Sequence, residues 1–134
     1  MSTENKEYIY LPTQQPALRL VPMPSDLNPA GDVFGGWIMS HVDVAGAIPA
    51  MKLSQGKVVT VAVNSFLFKE PISVGDLVSF YAKVIHVGNT SMKVKVEVYA
   101  EHDIFHAHVV KVTEAELTYV AVDSEGKKRK IVLL

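Results

Sequence analysis

An aspartate lies in the middle of a segment that is otherwise almost wholly apolar. The stretch GDVFGGWIMSHVDVAGA, residues 31–47, places Asp43 between two valines, downstream of the glycine pair Gly35–Gly36. A carboxylate is costly to bury without a partner, and burial raises the pKa of an aspartate above its ordinary value of about 3.9. Such a carboxylate is a better proton acceptor near neutral pH. The residue type and its setting therefore indicate a general base or a nucleophile in an apolar cleft.

The glycine pair can supply the second half of that chemistry. Amide N–H groups in the first turn of a helix have no acceptor within the helix, and the helix dipole adds positive potential there. Because Gly35 and Gly36 have no side chains, a substrate carbonyl can approach their amides. Such donors suit the oxyanion that forms during acyl transfer. The alternative is a loop that needs glycine for unusual backbone angles or tight packing.

A structural role for Asp43 is also open. Ser40 lies on the same face of the predicted helix, so Asp43 would then accept hydrogen bonds from Ser40 or from the backbone at a subunit contact. His41 does not face Asp43 on a helix, and we expect it to pack rather than to act in catalysis.

The helix that carries these residues is predicted from about Gly36 to Leu53. Asp32 or a neighbour is expected to cap its start, and Pro49 to kink or end it. The helix is apolar nearly all round, so it must be covered on more than one side. One curved sheet covers one side, and we expect a second subunit to cover the other.

Four long strands are predicted after the helix. Lys57–Phe68 is a continuous apolar run, which is typical of a central strand. Leu77–Val87 and Thr90–Glu101 flank Gly88–Asn89, a hairpin signal, and Val109–Val122 is the last strand.

The third of these runs alternates in polarity, which predicts a sheet with one buried face. One face carries Met92, Val94, Val96 and Val98, and the other carries Lys93, Lys95, Glu97 and Tyr99. With a short edge strand at Ala17–Val21, the order predicts an α+β fold in which a curved antiparallel sheet wraps a long central helix. We expect residues 1–15 to form an N-terminal arm and residues 16–134 a single domain.

Composition excludes several classes of function. The chain has 134 residues, a formal charge of -1 and no cysteine, so disulfide and thiol chemistry are excluded. The balanced charge gives no support for nucleic-acid binding. We see no signal peptide and no apolar run long enough for stable membrane insertion, and we expect a cytoplasmic location.

Three histidines invite a metal interpretation. His102, His106 and His108 lie close together in the sequence, but no acid or cysteine completes a ligand set with convincing spacing. We expect no metal site and no cofactor.

Two long motif blocks resemble the YciA-type acyl-CoA thioesterases of the hotdog-fold superfamily. They are MPSDLNPAGDVFGGWIMSHVDVAGAI and FKEPISVGDLVSFYAKVIHVGNTSMKVKVEV, within a match over about Leu18–Val122. The resemblance implies a hotdog fold, subunits that pair with continuous sheets, and frequent assembly as a trimer of dimers, a homohexamer. It implies hydrolysis of acyl-CoA to a free acid and CoA, in fatty acid metabolism, with CoA as part of the substrate and as product.

The same resemblance assigns roles to residues of this chain. The family's catalytic aspartate falls on Asp43 and its glycine pair on Gly35 and Gly36. Asp32 occupies the closest position to a catalytic acid or amide in the preceding loop, with Asn28 as a weaker candidate. CoA is expected along the hairpin and the neighbouring strand, at Thr60, Val61, Gly88, Asn89, Thr90 and Ser91. The positive charge of Lys93 makes it a further candidate, for contact with the CoA phosphates. The connection HDIFHAH, which is shorter than in relatives, departs from the family pattern.

Two other functions remain open from the sequence. A hotdog dehydratase would need a catalytic histidine paired with an acid. A non-catalytic acyl-CoA-binding protein would keep the cleft without needing Asp43.

Overall fold

The structure is a computed structural model that describes residues 9–103, 105–106 and 108–133. The elements in chain order are strand β1 (Leu18–Leu20), a short 3-10 turn (Pro24–Asp26), helix α1 (Gly35–Ser54) and strands β2 (Val58–Phe68), β3 (Leu77–Val87), β4 (Ser91–His102) and β5 (His108–Ala121). Residues 1–8 of the predicted N-terminal arm lie outside the described residues, and the arm and domain boundaries stay predictions.

The five strands form one antiparallel sheet in the order β1-β3-β4-β5-β2. Helix α1 lies across one face of it and contacts β2, β3, β4 and β5. The predicted α+β architecture, a long helix against a curved antiparallel sheet, is confirmed. The short N-terminal strand lies at one edge, as predicted, and pairs with β3.

The core lies between α1 and the middle of the sheet. The predicted alternation in β4 is confirmed, because Met92, Val94, Val96 and Val98 are all fully buried. They belong to one cluster with the helix residues Ile38, Val42, Ala45 and Ala50. Burying each of the valine, isoleucine and methionine side chains among them stabilises the fold by roughly 1.5–3 kcal/mol.

The prediction that Lys57–Phe68 is a central strand is wrong. Strand β2 pairs with β5 alone and forms the other edge of the sheet. Its register with β5 shifts between Thr60 and Ala62 and again between Val63 and Ser65. Each shift resets the in–out alternation, so an edge strand acquires a continuous apolar sequence. Its exposed large side chains are Val59, Val61, Val63, Leu67 and Phe68.

The ends of α1 also differ from the prediction. Phe34 is the N-cap residue and makes no side-chain cap, so the expected cap by Asp32 is wrong. Pro49 does not end the helix, which runs on to Ser54 and stops where Gln55 adopts a left-handed conformation with φ of 56°. Arg129 satisfies this end, since its guanidinium donates to the carbonyl and hydroxyl oxygens of Ser54 at 2.7 and 3.1 Å.

The outer side of α1 is apolar and open in the single chain. Met39, Val44 and Met51 are among its exposed large side chains. This is the side on which we expect a second subunit. Within the described ranges no helix has the length and apolar character needed to cross a membrane.

Candidate active site

Two hydroxyl groups hold Asp43, which is half-buried on α1. Thr60 donates its hydroxyl hydrogen bond to Oδ1 of Asp43 at 2.6 Å. The Tyr119 hydroxyl lies 2.7 Å from the main-chain oxygen of Asp43 and 3.1 Å from Oδ1. Thr60 and Tyr119 are paired directly across β2 and β5, so neighbouring strands present both hydroxyls to the helix. Because β2 is an edge strand, Asp43 lies beside the open edge of the sheet.

Sequence reasoning missed Tyr119. Its side chain is fully buried, on the same face of β5 as the core residues Ala115 and Leu117. A tyrosine at an inward position of an alternating strand needs a partner for its hydroxyl. The need for such a partner was the available signal for Tyr119, but the sequence does not show which helical residue lies opposite it.

Burial raises the pKa of Tyr119 above its ordinary value of 10, and the Asp43 carboxylate raises it further. The ionised form would be desolvated and would face a negative charge. The hydroxyl therefore stays protonated and remains a donor at neutral pH.

The other polar residues of the helix do not pair with Asp43. Ser40 donates to the carbonyl of Trp37 at 2.9 Å, so the alternative of a Ser40–Asp43 contact is wrong. His41 has Nδ1 2.7 Å from the same carbonyl, and its ring lies against Trp37 and Phe80. His41 packs, as predicted, and supplies no histidine–acid pair of the kind a hotdog dehydratase needs.

The helix start carries the predicted free amides. The Phe34 N–H donates to the carbonyl of Asp26, and the Trp37 N–H to that of Phe34. The N–H groups of Gly35 and Gly36, between them, have no acceptor among the residues described. Gly36 is exposed, and a Cβ at this position would meet nothing within 4 Å, so the surroundings of this residue are open.

A cavity of about 380 Å³ lies at this helix start. Gly35, Ile38, Phe68 and Ile72 are among its lining residues, with Lys69 and Glu70 alongside. A Cβ at Gly35 would lie 3.3 Å from the Phe68 ring, so glycine here allows β2 to approach the helix closely. The cavity offers apolar walls next to hydrogen-bond donors.

The two halves of the predicted site lie apart in one chain. From Gly36 to Asp43 the helix rises about 10 Å, at about 1.5 Å per residue. The free amides adjoin the end of β2 at Phe68, whereas Asp43 adjoins its beginning at Thr60.

The loop candidates do not reach Asp43 in this chain. Oδ1 of Asn28 accepts from the N–H groups of Ala30 and Asp32 at 2.9 and 3.1 Å. The main-chain N–H of Asn28 donates to the carbonyl of Asp32. Asn28 thus shapes its own turn, and the Asp32 side chain is exposed on it.

The residues predicted to bind CoA share one end of the sheet but not one face. Thr60 contacts Asp43 instead of standing free for CoA, and the neighbouring Val61 is exposed at a register shift. Gly88 pairs with Ser91, so the two-residue hairpin turn is Asn89–Thr90.

Lys93 is exposed and pairs with Thr118, between the inward-facing residues of β4. It therefore lies on the opposite face of the sheet from Asp43.

Two of the three histidines at the last connection, His102 and His106, lie beside acids. His102 lies 2.7 Å from the buried Asp76, and His106 contacts Asp103. In the described part of the chain, no group of three or more potential ligands could hold a metal ion.

Comparison with known proteins places this architecture among thioesterases. Residues 30–107 match the family model described as the thioesterase superfamily. An acyl-CoA thioester hydrolase of Haemophilus influenzae, itself described as uncharacterized, is 50% identical over 118 residues, which are 85% of this chain and 75% of the relative. The acyl-CoA thioester hydrolase YciA of Escherichia coli K12 is 45% identical over 118 residues, covering 85% and 88%.

A solved structure agrees in fold. The crystal structure of a hexameric thioesterase from Yersinia pestis superposes with a TM-score of 0.85. It is 43% identical, and the match covers 91% of this chain and 98% of that chain.

Proposed function

Because this chain belongs to the thioesterase superfamily, we infer that it is an acyl-CoA thioester hydrolase, which converts acyl-CoA to a free acid and CoA. The resemblance to the YciA type is confirmed by a relative that is 45% identical over 85% of this chain. The assignment of its active site depends on one observation: two hydroxyls hold the Asp43 carboxylate at the open edge of the sheet.

We propose that two copies of the chain complete each active site. The free amides and Asp43 adjoin opposite ends of β2, and β2 is an edge strand with exposed apolar side chains. An unpaired apolar edge is a template for a second strand. The hexameric assembly of the Yersinia pestis relative supports self-association.

Pairing β2 with a second copy of itself would bring the two halves together. About a two-fold axis, residues before the midpoint of a strand oppose residues after it. The midpoint of β2 is near Val63. The Thr60 end of one copy, which contacts Asp43, would then lie beside the Phe68 end of the other, which contacts Gly35.

In the proposed mechanism Asp43 of one copy removes a proton from water, and the resulting hydroxide adds to the thioester carbonyl carbon. The Gly35 and Gly36 amides of the other copy donate to the oxyanion of the tetrahedral intermediate. Collapse of that intermediate breaks the C–S bond and releases CoA, whose sulfur takes up the proton. Attack by Asp43 itself, through a mixed anhydride, is the other route open to a carboxylate. Neither route requires a resident metal or cofactor.

Several finer features are part of the proposal. The acyl chain occupies the apolar cavity at the helix start, and the CoA moiety extends along Val61 and the hairpin Gly88–Ser91 towards Lys93. A trimer of dimers in the cytoplasm is the proposed form of the enzyme. The hexameric relative supports the assembly, and a chain without cysteine is compatible with a reducing compartment.

The test uses release of free thiol from a panel of short, medium and long acyl-CoAs. Asp43→Asn keeps the shape of the side chain, and we expect a fall in kcat of about 10²–10⁴-fold, the contribution of a general base. Circular dichroism and light scattering check that fold and assembly are retained. A wild-type chain that binds acyl-CoA but releases no thiol would contradict the proposal and favour a binding protein.

A mixed assembly tests the sharing of sites. Gly36→Val adds a β-branched side chain next to the free amide, where glycine leaves open space, and is expected to inactivate the chain. When Asp43→Asn and Gly36→Val chains are co-expressed, one site of each mixed dimer has both intact halves, so about a quarter of wild-type activity returns. Failure to recover activity, with mixed dimers shown by mass spectrometry, would place both halves in one chain.

A further inference from the structure

We propose that Tyr119 is a positioning residue for Asp43. Because Gly46 has no side chain, the Tyr119 hydroxyl has room to reach Asp43 on α1. This hydroxyl holds one carboxylate oxygen and the main chain of Asp43, so that the second carboxylate oxygen is presented to the reacting water. This inference rests on the proposed role of Asp43 in thioester hydrolysis.

The hydrogen bonds to Asp43 are all on one side of its carboxylate. Thr60 and Tyr119 both donate to Oδ1, at 2.6 and 3.1 Å. Oδ2 has no donor among the residues that the structure describes. Two donors on one oxygen hold the carboxylate plane, and the other oxygen is left for a substrate or a water.

Tyr119 also holds the helix itself. Its hydroxyl lies closer to the main-chain oxygen of Asp43, at 2.7 Å, than to the side chain. A single hydroxyl proton is shared between these two acceptors, which belong to one residue. The contact therefore sets both the height of Asp43 above the sheet and the rotation of its side chain.

The strands around Tyr119 hold its side chain in place. Tyr119 is fully buried on β5, where it pairs with Thr60 of β2 on one side and with Met92 of β4 on the other. Sites supported by packed strands keep their geometry better than sites on loops. Thr60 differs in this respect, because it is exposed on the edge strand.

Gly46 makes the approach possible. A Cβ at this position would lie 2.5 Å from the Tyr119 hydroxyl oxygen and 3.2 Å from Cζ of its ring. Glycine inside a helix is less favourable than alanine, so its presence calls for a packing reason. Room for the Tyr119 hydroxyl supplies that reason.

A buried tyrosine that merely satisfies its own hydroxyl is the competing explanation, and Tyr119→Phe separates the two. We expect kcat to fall roughly tenfold or more, as for loss of a hydrogen bond to a charged group, with KM within about twofold of wild type. Tyr81→Phe is the matched control, since Tyr81 is also buried but its hydroxyl accepts from Arg19, away from Asp43. The control should lose comparable thermal stability and keep its kcat.

A double-mutant cycle tests whether Tyr119 acts through Asp43. In an Asp43→Ala background, Tyr119→Phe should leave the residual rate unchanged, because no carboxylate remains to be positioned. A further tenfold fall in that background, or an unchanged kcat in the single variant, would overturn the inference. Full activity of Asp43→Ala alone would instead overturn the proposed function.

Gly46→Ala supplies a second variant if Tyr119→Phe does not fold. It keeps the tyrosine hydroxyl but pushes it from Asp43, so it should lower kcat and leave KM nearly unchanged. A folded Gly46→Ala enzyme with wild-type kcat would show that the position of the hydroxyl does not matter.

Discussion

Val94 and Val63 flank the same residue and have opposite environments. Both pair with Leu117 of β5, Val94 from the β4 side and Val63 from the β2 side. Val94 and Leu117 are at most 1% exposed, whereas Val63 is 49% exposed. One cross-strand row therefore runs from the hydrophobic core to the open edge of the sheet within three strands.

This difference separates stability from function. The β4 side of the row packs against α1 and contributes to the core. The β2 side carries apolar surface that the chain does not cover, next to Thr60 and Asp43. An uncovered apolar strand beside a candidate catalytic acid is the arrangement that a site shared between two copies requires.

The largest effect is expected for Val94→Asp. An unpaired carboxylate at this fully buried position costs several kcal/mol, against a total stability of about 5–15 kcal/mol for a domain. We expect the chain to lose its cooperative thermal unfolding transition, followed by circular dichroism. A folded Val94→Asp variant would show that the β4 side of the row is not the core.

Val63→Asp is the matched change at the other end of the row, with a smaller effect on folding. The charge stays solvated in the single chain, so we expect a folded protein. In a paired edge two such charges would be buried close together, so self-association and thioesterase activity should be lost. Light scattering and the thiol-release assay measure both, and an active oligomer would rule out β2 as the proposed interface.

The smallest effect is expected on the opposite face of the same strands. A hydrogen bond from Lys111 lowers the pKa of Glu114 below its ordinary value of 4.5, with a smaller opposing contribution from burial. Because the pKa is lower in the folded state, this pair stabilises the protein above about pH 4.5, and the gain is lost as the pH falls through the folded-state value.

Lys111→Met should therefore destabilise the protein by about 1 kcal/mol near neutral pH, as expected for a partly buried ion pair that solvent still screens. Its melting temperature should fall less than that of wild type between about pH 6 and about pH 3. An equal fall in both proteins would show that the pair contributes nothing. Such a result would confine the stabilising contacts to the helix-facing side.

Local patterns were sufficient for much of the fold. The alternation in β4, the apolar helix, a hairpin turn within one residue of the predicted Gly88–Asn89 and the acid at Asp43 are all properties of neighbouring residues. The same local patterns gave the wrong position for β2. Two register shifts reset its in–out alternation, so this edge strand has the unbroken apolar sequence that is typical of a central strand. Local patterns also failed at the start of α1, where the expected cap by Asp32 is absent.

The amino-acid sequence by itself determined the element types, the buried face of β4 and the presence of a carboxylate in an apolar helix, because these follow from spacing and side-chain chemistry. Only the tertiary structure decided that β2 lies at the edge and that Thr60 and Tyr119 meet Asp43. Strand order and cross-strand register depend on contacts between distant segments, and no local period encodes which residues those contacts bring together.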